Sequence, residues 1–302
     1  MVLGYIEPVE FHQVVSKLRA FFEAKGWVEV HTQNRLSILA ACEDPTTIAT
    51  YTYAGQVWPL PQTGQMWLEH ELLKNPEVPG FFCLSTSYRN EPDPVPGRHD
   101  KIFPMFEFEC RGGIERLLTL ESELCQYLGF GGLTENNEYP QGEYNTVAAA
   151  YNVTELEHEH EARLCQQYGP VFFLTGFPNH TSPFWNMAQA EDGGSAKKVD
   201  VLLHGMETIG SAERSCDPVE MQRQFYSISD GMYAKRLFAE FTKERVEAEL
   251  EEFLAKPFFQ RSGGGIGVTR LIRAMKLSGL IDSTTTEQGV AASARTTATQ
   301  TN

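Results

Sequence analysis

Arg89 and Glu91 stand two residues apart in the stretch Phe81–Glu109, FFCLSTSYRNEPDPVPGRHDKIFPMFEFE, and Glu107 and Glu109 repeat that spacing at its end. Residues two apart on a strand share a face. An arginine and three carboxylates on a sheet face, with Arg98 and His99 on the loop above, would be costly as packing surface. As a floor for a polyanion and its metal the set makes chemical sense, because guanidinium forks match phosphate oxygens and carboxylates suit a hard cation. The charges alone also allow an ion-pair network on a solvated face.

Ser262–Met275, SGGGIGVTRLIRAM, adds three consecutive glycines, then Gly267, then Arg270 at the opening of a helical pattern through Leu271, Ile272 and Met275. Glycines there admit close approach of a ligand or a neighbouring strand, or simply mark a turn. The stretch is neither a P-loop, since no Gly-Lys-Ser/Thr follows, nor a dinucleotide fingerprint.

Together the two stretches resemble motifs 2 and 3 of the class II aminoacyl-tRNA synthetases: Arg-x-Glu, a loop with Arg-His, Phe103 four residues on, and far downstream Gly-Gly-Gly-Ile-Gly-x-x-Arg. The resemblance spans roughly Glu7 to Leu280. It is nearest to the aspartyl and asparaginyl enzymes and to their relatives that make asparagine. It implies that Arg89 holds the α-phosphate of ATP, and that Arg98, His99 and Arg270 hold the distal phosphates beside Gly265 and Gly267. Phe103 would stack on adenine, and Glu91 joins Arg89 and Arg270 in the implied catalytic set. Asp200 and Glu207, with Gly205 between them, are implied as the carboxylates that serve ATP and its Mg²⁺, on two strands of a hairpin facing one site. Glu43 would bind the substrate α-ammonium, Gln65 would orient the amino acid, and Arg214 would read its side chain.

Positions around the implied site depart from the family pattern. Ile102 replaces the glutamate usual before the stacking aromatic, and Met206 replaces an acidic neighbour common beside Glu207. Leu68, in Gly64-Gln65-Met66-Trp67-Leu68-Glu69, stands where aspartyl enzymes place the lysine that pairs with the substrate β-carboxylate. That pattern is similar to the asparaginyl branch. A leucine cannot satisfy a desolvated carboxylate, so an aspartate substrate would need another cation.

Positioning these groups requires strands around Phe81–Leu84 and Phe103–Glu109, joined by a loop that Pro92, Pro94 and Pro96 hold extended. Phe11, Val14, Val15, Leu18, Phe21 and Phe22 recur at helical spacing, Gly26 stands as a C-cap, and Trp27, Val28 and Val30 read as a strand. This pair resembles motif 1, the family's dimer-forming element, although Gln33 replaces the proline usual after the threonine. Tyr51–Tyr53 and Val57–Leu60 predict a hairpin about Ala54-Gly55; Met66–Leu73 and Ile114–Leu128 predict helices, and Val171–Leu174 a buried strand. Residues 129–144 read as a loop, 147–167 and 225–254 as mainly helical, and 191–196 as a turn. His158 and His160, two apart and unable to share a helix face, read as part of a solvated helix rather than a metal site.

With 302 residues, 41% of them apolar, the chain can bury a full core. A net charge of −15 argues against a general nucleic-acid surface. Neither a signal peptide nor a membrane span is evident, and six cysteines without a CxxC pair suggest reduced thiols in the cytoplasm. The resemblance implies an α+β fold, an antiparallel sheet flanked by helices, over residues 1–282. Residues 283–302 are small and polar and read as a disordered tail.

The chemistry implied is attack of an amino-acid carboxylate on the ATP α-phosphate, giving an aminoacyl adenylate and pyrophosphate. Motif 1 begins within the first ten or so residues, leaving no room for the family's N-terminal anticodon-binding barrel. The expectation is therefore a stand-alone homodimeric ligase that converts aspartate to asparagine with ammonia. The Leu68 pattern keeps open an asparaginyl- or aspartyl-tRNA synthetase-like enzyme that loads tRNA or another acceptor. A non-catalytic regulatory paralogue is the third reading, and retention of Arg89, Glu91, Phe103, Glu207 and Arg270 argues against it.

Overall fold

Period-two alternation along two long neighbouring strands divides the molecule into a core side and a site side. The computed structural model describes residues 5–33, 36–39, 45–181, 183–191 and 193–281; Glu43 and residues 283–302 lie outside the described residues. The strands are β1 (Val28–Glu29), β2 (Thr50–Tyr53), β3 (Gln56–Pro59), β4 (Gly80–Tyr88), β5 (Ile102–Arg111), β6 (Gln141–Glu143), β7 (Val171–Pro178), β8 (Ser195–Leu203), β9 (Glu207–Arg214) and β10 (Arg261–Gly267). The helices are α1 (Pro8–Glu23), α2 (Gln65–Lys74), α3 (Ile114–Leu128), α4 (Tyr144–Tyr151), α5 (His158–Tyr168), α6 (Pro218–Ser227), α7 (Met232–Phe241), α8 (Lys243–Leu254) and α9 (Val268–Leu277).

Eight strands form one sheet in the order β1-β4-β5-β10-β9-β8-β7-β6, and β2 with β3 forms a separate hairpin. From β4 to β7 every pairing is antiparallel, while the short edge strands β1 and β6 run parallel to their neighbours. The fold is the helix-flanked α+β sheet that the sequence implies, mixed only at its edges. Phe82 of β4, Phe106 and Phe108 of β5, Ile266 of β10 and Val199 and Val201 of β8 share the core face, buried against α1, α3 and α9. Phe22 of α1 anchors that side, its ring 5.4 Å from those of Phe106 and Phe108.

The opposite face carries the charges, and its rows run straight across four strands. Glu107 pairs with Gly265, Gly265 with Gly210, and Gly210 with Asp200; one row on, Glu109 pairs with Gly263, Gly263 with Ala212, and Ala212 with Lys198. Small residues in the middle of each row make a trough between charged walls. The glycine run thus lies inside β10 rather than in a turn. A Cβ on Gly263 would sit 1.9 Å from Glu109 Oε2 and 2.3 Å from the Phe108 carbonyl oxygen, and one on Gly265 would sit 2.4 Å from Met105 Cε. Backbone cannot move aside as a side chain can, so Gly263→Ala is expected to cost about 2 kcal/mol or more, read as a lowered urea midpoint.

Elsewhere the structure corrects the sequence reading in detail. Residues 147–167 break into α4 and α5, with Asn152 left-handed at φ 57° between them. His160 is buried, not solvated: it completes a capping box, its Nδ1 accepting from the Glu157 backbone N–H at 2.9 Å. Residues 225–254 form parts of three helices, interrupted where Ser229, Asp230 and Thr242 adopt positive φ. The stretch 129–144 contains β6, and the turn at 191–196 gives way to β8 at Ser195.

Beneath the sheet, Glu121 of α3 is fully buried, and burial pushes its carboxyl from an ordinary 4.5 up to about 8, against the Ser211 hydroxyl. Such a group binds more protons folded than unfolded, so stability is lost as pH rises. The loss is absent below about 4.5, where both states are protonated, and is complete above about 8. Glu121→Gln is expected to remove this dependence, on the order of a few kcal/mol, in urea titrations between pH 5 and 9.

Candidate active site

The trough holds a cavity of about 430 Å³ bounded by Gln65, Glu69, Glu107, Lys198, Asp200 and Arg214, among others. A second cavity of about 260 Å³ continues from it past Arg89, Met105, Glu207, Gly210 and Gly265, which line both, to Arg98, His99, Phe103 and Arg270. The site has two ends with different chemistry.

At the first end the side chains form a buried ion network. Arg214 Nη2 lies 3.2 Å from Glu109 Oε2, donates also to Gln65 Oε1, and its Nε is 3.8 Å from Glu69 Oε1. Glu69 in turn accepts from Arg261 Nη2 at 2.6 Å and from Asn186 Nδ2 at 2.6 Å. Two arginines therefore balance two glutamates, all four buried. Burial raises Glu109 to about 7, with Arg214 opposing and Glu69 adding to the shift. For Arg214 burial works against the charge, but Glu109 and then Glu69 overcome it and raise its pKa. Glu107 is raised by burial too, against hydrogen bonds from Ser85, Thr63 and the Gly64 backbone N–H. Leu68 does not join this end; it is buried with Leu72, Phe81 and Cys83.

Arg89, Arg98, His99 and Arg270 gather at the second end, beside Glu91, Asp100 and Glu207. Arg270 donates from Nη1 to the Glu207 carbonyl at 2.7 Å and from Nη2 to the Arg98 carbonyl at 3.2 Å, tying the β4–β5 loop to β9. Arg98 pairs with Glu161 of α5 at 2.5 Å, and His99 Nδ1 lies 2.8 Å from Glu91 Oε2. Arg89 lies just past the end of β4, its guanidinium 5.6 Å from the centre of the Phe103 ring. Unlike Arg98, Arg214 and Arg270, it faces no carboxylate in an ion pair among the described residues, and its buried Nε has no hydrogen-bond partner. An orphaned buried donor at the junction of the cavities is free to take an acceptor from outside the chain.

Asp200 and Glu207 converge over Gly210, where an added Cβ would lie 2.8 Å from Glu207 Oε1 and 3.6 Å from Asp200 Oδ1. Two carboxylates above bare backbone fit a hard cation that takes its remaining oxygens from phosphate and water. Among the described residues no group of three or more histidine, cysteine, aspartate or glutamate side chains is arranged around a metal position. Burial would raise Glu207, but Lys198, Arg270, Arg89 and Arg98 hold its pKa below the ordinary value.

A sequence model of the tRNA synthetases class II (D, K and N) matches residues 10–285. The chain belongs to this family. An aspartate–tRNA(Asp) ligase from Pyrobaculum aerophilum is 22% identical over 229 residues, 67% of this chain and 50% of that protein. The chain thus spans about half the length of this curated relative. Among solved structures, asparaginyl-tRNA synthetase from Pyrococcus horikoshii complexed with asparaginyl-adenylate superposes with a TM-score of 0.71 at 20% identity, covering 88% of this chain and 64% of that one. The Entamoeba histolytica asparaginyl-tRNA synthetase, also in complex with asparaginyl-adenylate, gives 0.71 at 16% identity, with 89% and 63% covered. At these identities the likeness is one of fold.

Against that class II synthetase fold, the expected residues Gln65, Arg89, Glu91, Arg98, His99, Phe103, Asp200, Glu207, Arg214, Gly265, Gly267 and Arg270 all line the two joined cavities. Sequence reasoning missed Glu69, Glu161, Asn186, Lys198 and Arg261. Gln65 is itself held in place, its oxygen accepting from Arg214 and its Nε2 donating to the Gly264 carbonyl at 2.7 Å. No helix among the described residues is long and apolar enough to cross a membrane.

Proposed function

We propose that this chain is an ATP-dependent ligase that activates the α-carboxylate of asparagine as its adenylate and passes the asparaginyl group to tRNA. The observation that carries the choice of amino acid is the charge balance around Arg214. Arg214 and Arg261 are already matched by Glu109 and Glu69, and Leu68 contributes no cation. A neutral amide, accepting from an arginine and donating to a carboxylate, suits such a pocket better than a second carboxylate, which would go uncompensated. This moves the reading from the ammonia-dependent making of asparagine to use of asparagine itself. The similar proteins, an aspartate–tRNA ligase and an asparaginyl-tRNA synthetase, support tRNA as acceptor.

In this reading an α-carboxylate oxygen attacks the α-phosphorus; a C–O–P linkage forms, the bond to the β-phosphate bridging oxygen breaks, and pyrophosphate leaves. Arg89 neutralises the α-phosphate, where charge concentrates in the transition state. Arg98, His99 and Arg270 receive the distal phosphates, and Phe103 stacks on adenine. Mg²⁺ would be held by Asp200 and Glu207 and supplies charge neutralisation of the phosphates. Glu43 is assigned to the α-ammonium and Gln65 to orientation of the amino acid, through its bond to Arg214. The similarity of α1 and β1 to motif 1 supports a homodimer, and residues 1–282 are assigned to the catalytic domain.

Amino-acid-dependent exchange of pyrophosphate into ATP tests the reading. Exchange with asparagine, followed by asparaginylation of tRNA, is the expected result. Exchange with aspartate and amide formation from ammonium would overturn the choice of substrate in favour of the asparagine-forming reaction. Silence with every amino acid would leave a non-catalytic relative.

A further inference from the structure

Lys198 precedes Asp200 by two residues on β8 and so stands on the same trough face. Its Nζ lies 3.1 Å from Asp200 Oδ2 and 4.0 Å from the centre of the Phe177 ring, and the side chain is only 16% exposed. A carboxylate on one side and an aromatic face on the other fix the ammonium at the wall of the larger cavity. Nothing in the phosphate-binding residues explains this lysine. It stands beside the two carboxylates that converge over Gly210, where a cation held by the protein would sit.

We propose that Lys198 is a tethered cation for Asp200 and Glu207, so that the divalent ion enters with the nucleotide instead of being held beforehand. The inference rests on the reading of Asp200 and Glu207 as the cation-holding pair. A divalent ion over Gly210 would face Asp200 Oδ1 and Glu207 Oε1, and would meet the positive charge fixed on Oδ2 of the same Asp200 carboxylate. Phosphate oxygens change that balance by adding negative charge on the same side. Lys198 is thus a positioning residue: it keeps the carboxylate pair extended and neutralised while the site is empty, and weakens the protein's own hold on metal.

The test is Mn²⁺ binding to the full chain without nucleotide, followed by the electron paramagnetic resonance signal of free Mn²⁺. Wild-type protein is expected to bind weakly, and Lys198→Met to bind one ion about tenfold or more tightly. Lys198→Arg, which keeps the charge, should behave as wild type, and adding Asp200→Asn to Lys198→Met should abolish the gain. A merely structural lysine would not produce that pattern. Equal Mn²⁺ affinity in wild type and Lys198→Met, with unchanged thermal midpoints, would overturn the proposal. So would tight nucleotide-independent binding by the wild type, which needs no variant. Calorimetric binding of a non-hydrolysable ATP analogue, run in parallel, reports on the proposed function separately, and its failure would leave the Mn²⁺ comparison standing.

Discussion

Arg261→Ala is expected to destabilise the protein by about 3–5 kcal/mol, read as a large fall in the urea midpoint. The Arg261 side chain is completely buried and donates from Nε and Nη2 to Glu69 Oε2 at 3.0 and 2.6 Å, and from Nη1 to the Ser215 carbonyl at 3.1 Å. Removing it strands Glu69, itself fully buried, with Asn186 as its close donor and Arg214 at 3.8 Å. An uncompensated buried charge is what makes such a deletion severe; the pair itself contributes much less. Arg261→Met combined with Glu69→Met should therefore recover most of the lost stability. A loss below about 1 kcal/mol in Arg261→Ala would mean that Arg214 swings over to Glu69. In that event Arg214 leaves Glu109, and the defect should reappear as a raised KM for the amino acid with stability intact.

The same residues show how far the sequence could be read. Period-two spacing grouped Glu107 with Glu109 because that pattern survives translation into β5, whereas Arg89 and Glu91 lie past the end of β4 and Arg270 on α9, so the strand rule does not account for them. The period-two rule that grouped Arg89 with Glu91 would also have grouped Lys198 with Asp200, and Arg261 with Gly263 and Gly265. Glu69 follows Gln65 by one helical turn on α2, so it shares that helix face. These signals were present but indistinguishable from surface charge until the partner strand was known. What no local pattern carries is the pairing of β10 between β5 and β9, set by contacts from opposite ends of the chain. That placement turns a glycine run from a turn into the floor of a trough, and turns Arg261 from a loop cation into a buried ion-pair partner. The break at Thr242 had no local signal, since a β-branched residue rarely adopts positive φ, whereas the one at Ser229 carried one in the turn-forming pair Asp230-Gly231.

Arg89→Ala should leave the protein folded and lower asparagine-dependent pyrophosphate exchange by about 10³-fold, equivalent to about 4 kcal/mol of transition-state stabilisation. Arg89 forms no close ion pair among the described residues and its buried Nε lacks a partner, so its removal relieves an orphaned donor and costs only the longer-range attraction it exerts on Glu207 and Glu107. The thermal midpoint should change little. Arg270→Ala makes the informative contrast. It too should suppress exchange, but it also deletes the bonds that join the Glu207 and Arg98 carbonyls, so its midpoint should fall. Arg89→Lys should recover little of the exchange, because a point charge cannot reproduce two parallel donors aimed at phosphate oxygens. Retention of more than about a tenth of wild-type exchange by Arg89→Ala, well short of what loss of a transition-state donor costs, would remove it from the α-phosphate. The orphaned Nε would then need another acceptor at the junction of the two cavities, which Arg89 lines.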